Sequence, residues 1–359
     1  MDVFCGDYPV VIVNDIIIYP KCCLLISNRQ TNWIKTVVYY YRFKKMKSLL
    51  ERINWSECLS RTSLSEIYKT ADDYGNISSV IKLTKIVNVP GSWPDVDFLC
   101  PEVSFNPQSK VVSVGSLGDV AVFGENYHRY RDSQNERKFL ERFQDVENVV
   151  KIKGHEFLCH KDSSDNNVFC SGIEMEYLEG TILFKMIRSR GRNISDFCKA
   201  IGDMAELLLF FEDERFIYMD VKSSNVIYQP KEVSGRGKTT LIDFNLSIDE
   251  ENLSLNHLGG TLEYNAPEKI NKNTYPITAR ADFFALGGIV YEYFLRQYPR
   301  LKGNPADDKK RIRKMTDEIF HAGCPDGLLD GVKKVFEHDP DDREILPLMQ
   351  ACYEIAGMG

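Results

Sequence analysis

The sequence predicts an α+β protein of two lobes, a small β-rich part followed by a larger helical one. Three observations carry that prediction. Short β-type runs dominate up to about residue 180. Beyond them, residues 195–216 place Phe197, Ile201, Met204, Leu208 and Phe211 three or four apart, which is one face of an amphipathic helix. The composition, 43% hydrophobic and 27% charged over 359 residues, is that of packed globular domains. At roughly 100–200 residues per domain, two or three folding units fit.

In chain order, the runs 10–13, 16–19 and 23–26 read as strands broken by Asn14-Asp15 and Pro20. Residues 31–59 read as one helix carrying Lys44, Lys45, Lys47 and Arg52, entered through a strand over 37–41. Residues 63–71 read as a short helix. The segment Pro90-Gly91-Ser92-Trp93-Pro94 opposes both helix and ladder, and a boundary is expected near residue 100. That gives an N-terminal region over 1–100, a β-rich lobe over 101–180 interrupted by a helix at 134–143, and a helical lobe over 181–359. Ser195 is the expected cap of the long helix.

A formal net charge of −7 excludes attachment to nucleic acid by bulk charge, which needs a clustered basic surface. No uncharged apolar run reaches about 18 residues, so no membrane span is expected. The start, MDVFCGD, lacks the basic stretch of a secretory signal. Ten cysteines without a C-x-x-C spacing read as reduced, mostly buried thiols of a cytoplasmic protein.

Four segments carry chemistry. They are Tyr218-Met219-Asp220-Val221-Lys222-Ser223-Ser224-Asn225, Leu241-Ile242-Asp243-Phe244-Asn245, Gly260-Thr261-Leu262-Glu263-Tyr264-Asn265-Ala266-Pro267-Glu268, and Ala281-Asp282-Phe283-Phe284-Ala285-Leu286-Gly287. The first can present a carboxylate, an ammonium and an amide to one small cavity. The second adds a carboxylate at a strand end, where magnesium finds the oxygen ligands it prefers. Each alone is a common loop or strand end. The third is specific, and Gly260 lies 17 residues after Asp243.

In this order and spacing, the segments resemble the eukaryotic-type protein kinases of the serine/threonine branch. The resemblance implies a bilobal kinase fold, with lobe and hinge over 101–180 and the helical lobe over 181–359. It also implies ATP and Mg2+ as cofactors and a protein as substrate. Asp220 would orient or deprotonate the acceptor hydroxyl, Lys222 would stabilise the γ-phosphate, and Asn225 and Asp243 would hold metal ions. Ile173-Glu174-Met175-Glu176-Tyr177-Leu178 is similar to the adenine-binding hinge, with Met175 as gatekeeper and Glu176 and Leu178 beside the nucleotide. Thr261 would form the peptide platform and Asp282 would brace the catalytic loop. Arg343, in Asp339-Pro340-Asp341-Asp342-Arg343, would pair with Glu268.

The first lobe departs from the family's pattern. Glu136 fits the helix glutamate that pairs with a strand lysine. The strand before it, Asp119-Val120-Ala121-Val122-Phe123, has Phe123 where that lysine belongs. Two registers follow. In one, residues 114–120 are a degraded glycine loop. In the favoured one, 119–123 is the third strand and Lys110 approaches the phosphates from the second, as in the with-no-lysine kinases. Tyr218-Met219 replaces His-Arg, so the usual receiver of an activation-loop phosphate is missing, and activity is expected not to require that phosphate. The alternative function is a pseudokinase acting as a binding or regulatory module. Residues 1–100 match no family, and they are read as a site for a regulatory protein partner or as an extension of the lobe.

Overall fold

The computed structural model describes residues 3–5, 8–13, 16–18, 53–61, 65–71, 77–88, 98–99, 103–106, 111–114, 119–121, 125–161, 167–253, 259–271 and 275–358. Its contacts form two units, residues 1–130 with 153–177 and residues 131–152 with 178–359. Strands β1 (Val3–Cys5), β2 (Tyr8–Val13) and β3 (Ile16–Ile18) make an antiparallel sheet where the first two β-type runs were expected. The run 23–26 and most of the helix expected over 31–59 lie outside the described residues.

The rest of the first unit is built from β4 (Ile53–Arg61), β5 (Ser65–Ala71), β6 (Ile77–Asn88), β7 (Phe98–Leu99), β8 (Val103–Asn106), β9 (Val111–Val114) and β10 (Asp119–Ala121). After helix α1 (Glu125–Arg142) come β11 (Ile152–Lys161) and β12 (Asn167–Glu176). Two helices expected from sequence are strands here. Residues 53–61 and 65–71 pair as β4 and β5, and Glu66, Tyr68 and Thr70 alternate with half-buried neighbours. That period of two belongs to a strand, and pairing with β6 overrides the local helix pattern.

The sheet order is β4-β5-β6-β12-β11-β7. The break expected near residue 100 therefore falls inside one unit, because β6 pairs with β12 from Asn88 opposite Val168 to Ser79 opposite Glu176. β6 ends at Asn88, two residues ahead of Pro90 in the sequence. Ile53, Tyr68, Ile81, Leu83, Val168 and Cys170 form a core on this sheet. Strands β8, β9 and β10 form a separate antiparallel meander, order β10-β9-β8.

The second unit is mainly helical. From Arg131 onward α1 belongs to it, and three contacts between Phe rings explain why. Phe143, just past the helix end, sits 4.8 Å from Phe216 and 5.1 Å from Phe211, while Phe139 sits 4.7 Å from Phe216. Tilted and edge-on pairs at these distances are the favoured aromatic geometry. Chain order continues through β13 (Thr181–Ile182), α2 (Leu183–Arg188) and α3 (Ile194–Asp213). The periodic residues of α3 are buried as their spacing predicts. Its cap is Asn193, whose side chain accepts from the Ser195 amide at 2.9 Å, and not Ser195 itself. Asn193 has the extended backbone a cap needs, whereas Ser195 already lies within the helix.

Next come β14 (Phe216–Ile217), β15 (Val226–Gln229), α4 (Lys231–Ser234), β16 (Lys238–Leu241), β17 (Ile248–Asp249), α5 (Pro267–Ile270) and α6 (Arg280–Leu295). Helices α7 (Pro305–His321), α8 (Asp326–Val335) and α9 (Leu346–Ile355) complete the unit. α6 is buried nearly all round and is its central helix. A Cβ on Gly331 would meet the Leu348 backbone at 2.5 Å, so only glycine lets α8 pack this closely on α9. Cys170, Cys198, Cys324 and Cys352 are buried thiols. Among the described residues, no helix is long and apolar enough to cross a membrane.

Candidate active site

Two short antiparallel pairs hold the catalytic-loop segment. β14 pairs with β17 at its start and β15 pairs with β16 at its end. Between them the chain turns through Met219, whose φ is 76°, and Asp243 has a φ of 69°. Left-handed backbone at non-glycine residues is uncommon and is held only where surroundings enforce it. Here Asp282, at the start of α6, accepts from the Tyr218 amide at 2.7 Å and the Met219 amide at 3.1 Å. The Lys269 ammonium donates to the Met219 carbonyl and Ser247 Oγ to the Tyr218 carbonyl. Asp282 thus ties the start of α6 to the loop.

Asp220 is the centre of the arrangement. Its Oδ1 accepts from the Thr261 amide at 2.9 Å and the Thr261 hydroxyl at 2.8 Å. Its Oδ2 accepts from Lys222 Nζ at 2.6 Å and Asn225 Nδ2 at 3.2 Å. Lys222 also reaches the Thr261 hydroxyl at 3.2 Å. Three residues from two distant segments therefore meet at one carboxylate, and Asp220 is 6% exposed.

Asp243 follows β16. The Ile242 amide donates to the Asn225 carbonyl at 2.9 Å, which sets Asp243 beside Asn225. The Asn225 amide nitrogen is spent on Asp220 and on the Tyr218 hydroxyl at 3.3 Å, leaving its oxygen to ligate. Tyr218 is fully buried and packs edge-on against Phe244, 5.1 Å between centroids, while its hydroxyl donates to the Ile242 carbonyl. Burial pushes this phenol well up, and the carboxylates of Asp243, Asp220 and Glu136 push it further. Three acidic groups thus converge within electrostatic reach of one buried ring. The Asn225 side-chain oxygen and the Asp243 carboxylate are oxygen donors of the type magnesium takes.

The support beneath is equally polar. Arg343 and Glu268 form a bidentate pair at 2.6 and 2.8 Å, both side chains at 0% exposure. The other donors of Arg343 reach the carbonyls of Glu337, Arg280 and His338, so none of its five N–H groups is wasted. Breaking a buried pair strands a charge, so Arg343→Ala is expected to cost about 3–5 kcal/mol in urea unfolding. Glu268→Met combined with Arg343→Met should restore much of that, because no lone charge remains. Sequence reasoning missed Glu292, a buried carboxylate that accepts from Ser223 at 2.7 Å and Tyr264 at 2.6 Å. Nothing local in the sequence of α6 marks it.

In the first unit, Met175 is buried near the end of β12 and Glu176 is half-buried; Leu178, the first residue of the second unit after it, is half-buried too. Lys110 lies outside the described residues. The strand once expected to carry the family's lysine position, β10, pairs with β9 and not with the hinge strand. One of the two neighbours of β12 in the sheet is β6, and it carries a lysine that sequence reasoning passed over. Lys82 stands opposite Ile173 on β12 and opposite Ile67 on β5, while Val80 stands opposite Met175. Directly paired residues share a face, so Lys82, Val80, Ile173 and Met175 lie on one side. Lys82 is 8% exposed. Lys85, three residues on, points to the other face and pairs with Glu66 at 3.6 Å. The signal was Val80-Ile81-Lys82 itself, a β-branched run ending in lysine.

The loop around Asp220, the carboxylate after β16 and the Thr261 segment hydrogen-bonded to that loop are arranged as in the protein-kinase class. The comparison with known families agrees. The family described as "Protein kinase domain" matches residues 121–355, more than half of the chain, and the chain belongs to that family. It is 24% identical over 170 residues to Aurora kinase C of Mus musculus, covering 47% of this chain and 59% of that protein. It is 28% identical over 177 residues to the MAP kinase kinase MKK1/SSP32 of Saccharomyces cerevisiae, covering 47% of this chain and 31% of that one. To the MAP kinase kinase skh1/pek1 of Schizosaccharomyces pombe it is 30% identical over 142 residues, 37% of each. The chain thus spans from about a third to three fifths of the length of these relatives.

Proposed function

We propose that this chain is a serine/threonine protein kinase that transfers the γ-phosphate of ATP to hydroxyls of a protein substrate. The observation that carries the reading is the Asp220 carboxylate, held at once by Thr261, Lys222 and Asn225. In the transfer, a bond forms between the acceptor oxygen and the γ-phosphorus, the bond to the β-phosphate oxygen breaks, and the acceptor proton passes toward Asp220. Lys222 supplies positive charge beside the transferred group. Asn225 and Asp243 would hold magnesium, which neutralises phosphate charge when bound. Thr261 ties the peptide platform to the catalytic carboxylate.

Lys82, rather than Lys110, takes the role of the family's strand lysine, with Glu136 on α1 as the helix glutamate. Met175, Glu176 and Leu178 take the adenine. The pseudokinase reading rested on the altered lysine position and a poor glycine loop; a lysine on β6, paired with β12, supports the kinase reading over it. The test is transfer from radiolabelled ATP to a basic protein with magnesium. Equal label from wild type and Asp220→Ala overturns the reading.

A pH dependence follows from the brace. Burial pushes the Asp282 carboxyl up to about 6, against the opposing pull of Lys269 and the two loop amides. Above that value the carboxylate accepts from both amides; below it, a proton occupies one of the accepting oxygens. The kcat of transfer is therefore expected to fall as pH drops through about 6. A pH–rate profile of Asp282→Asn should be lower and should lose that acid limb.

A further inference from the structure

The phosphate receiver that this family uses is missing at Met219, yet the activation segment is not left untethered. Asp249, on β17, receives two cations from α1. Lys138 Nζ lies 2.7 Å from Oδ2, and Arg142 Nη1 lies 2.6 Å from Oδ1. Lys138 and Arg142 are four residues apart, the spacing that puts two side chains on one helix face. Glu136 precedes Lys138 by two positions on the same helix and is 1% exposed. Arg142 also binds Glu214 at 2.8 Å. Asp249 itself is backbone-paired with Phe216, and the next residue, Glu250, donates its amide to the Arg215 carbonyl and accepts from the Ala279 amide at 3.0 Å.

The surroundings say what this spot can take. A cavity of about 510 Å3 is lined by Arg142, Arg215, Glu214, Asp249, Glu250 and Glu251, two guanidiniums against four carboxylates. An added phosphate would meet four carboxylates, with Arg142 already bound to Asp249 and Glu214. Burial would raise the Asp249 carboxyl, but Lys138 and Arg142 outweigh it and hold it below the usual carboxylate value.

We infer that Asp249 is a built-in positioning residue. Its carboxylate clamps the activation segment to α1 in place of an activation-loop phosphate, keeping the helix of Glu136 in its working position without modification. The inference rests on the kinase reading, and its test separates the two. In the full chain, amide hydrogen exchange over 131–142 and 248–253 is compared for wild type, Asp249→Asn, Asp249→Lys and Asp249→Lys combined with Lys138→Glu. Asp249→Lys should speed exchange in both segments by about tenfold, since it turns two attractions into repulsions. The charge swap should restore part of the protection, and Asp249→Asn should fall between.

Transfer activity should follow the same order, with melting temperature recorded for each variant, and phosphatase treatment of wild type should leave its rate unchanged. Wild-type exchange in Asp249→Lys overturns the clamp. Loss of wild-type activity on phosphatase treatment overturns its independence of phosphate. A wild type that transfers nothing overturns the kinase reading, while the exchange comparison still decides the clamp.

Discussion

Asp220→Ala is expected to cut phosphate transfer by about 10²–10⁴-fold, the range that a positioned general base contributes. The residue collects four donors from three side chains and one backbone amide, so its removal acts in two ways. It deletes the group that takes the acceptor proton, and it frees Lys222 and Thr261 from their common anchor. Asp220→Asn separates these effects, because the amide keeps one accepting oxygen while losing the charge. If the proton-accepting role dominates, the two variants fall alike in kcat. The KM for ATP should move little in either, since the interaction is made with the acceptor during transfer. Urea unfolding of both variants checks that the loop is still braced by Asp282, whose bonds to Tyr218 and Met219 do not involve Asp220. A variant with wild-type kcat and an intact fold would remove Asp220 from the chemistry.

The helical unit was legible because its signals are local. The face of α3 is written at spacings of three and four, and the Asp220, Asp243, Thr261 and Asp282 segments each keep their residue types in short runs. The Glu268–Arg343 pair joins residues far apart in sequence, yet both ends carry a local motif. The β-rich unit was read poorly for the opposite reason. Residues 65–71 have a mixed apolar pattern that fits either period, and only pairing with β6 selects the strand. Pro90 to Pro94 looks like a domain break, but the strand before it and the hinge strand share one sheet. The segment between β6 and α1 separates the lysine strand from the glutamate helix, and a search just ahead of the helix stops at the meander of β8, β9 and β10. Glu292 and Lys269 were missed because a buried polar residue has no signature until its partners are known.

The meander makes the second large prediction a choice between two lysines. Lys82→Met is expected to lower kcat/KM for ATP by about 10²–10³-fold, the loss that follows from removing one preorganised electrostatic donor. Lys110→Ala is expected to stay within about twofold of wild type, because the phosphate-binding role is assigned to Lys82. Methionine suits the test because it keeps an unbranched chain of similar length in a position that is 8% exposed, so packing between β5 and β12 survives. Lys85→Ala is the control on the same strand. It removes the Glu66 pair from the opposite face and should alter stability more than turnover. The measurements are initial rates over a range of ATP concentrations, with melting temperatures for each variant. The opposite pattern, loss in Lys110→Ala and none in Lys82→Met, would return the phosphate-binding role to the displaced lysine. Loss in both would mean that two cations share the phosphates, and a double variant would then fall by less than the product of the single losses if they act on the same step.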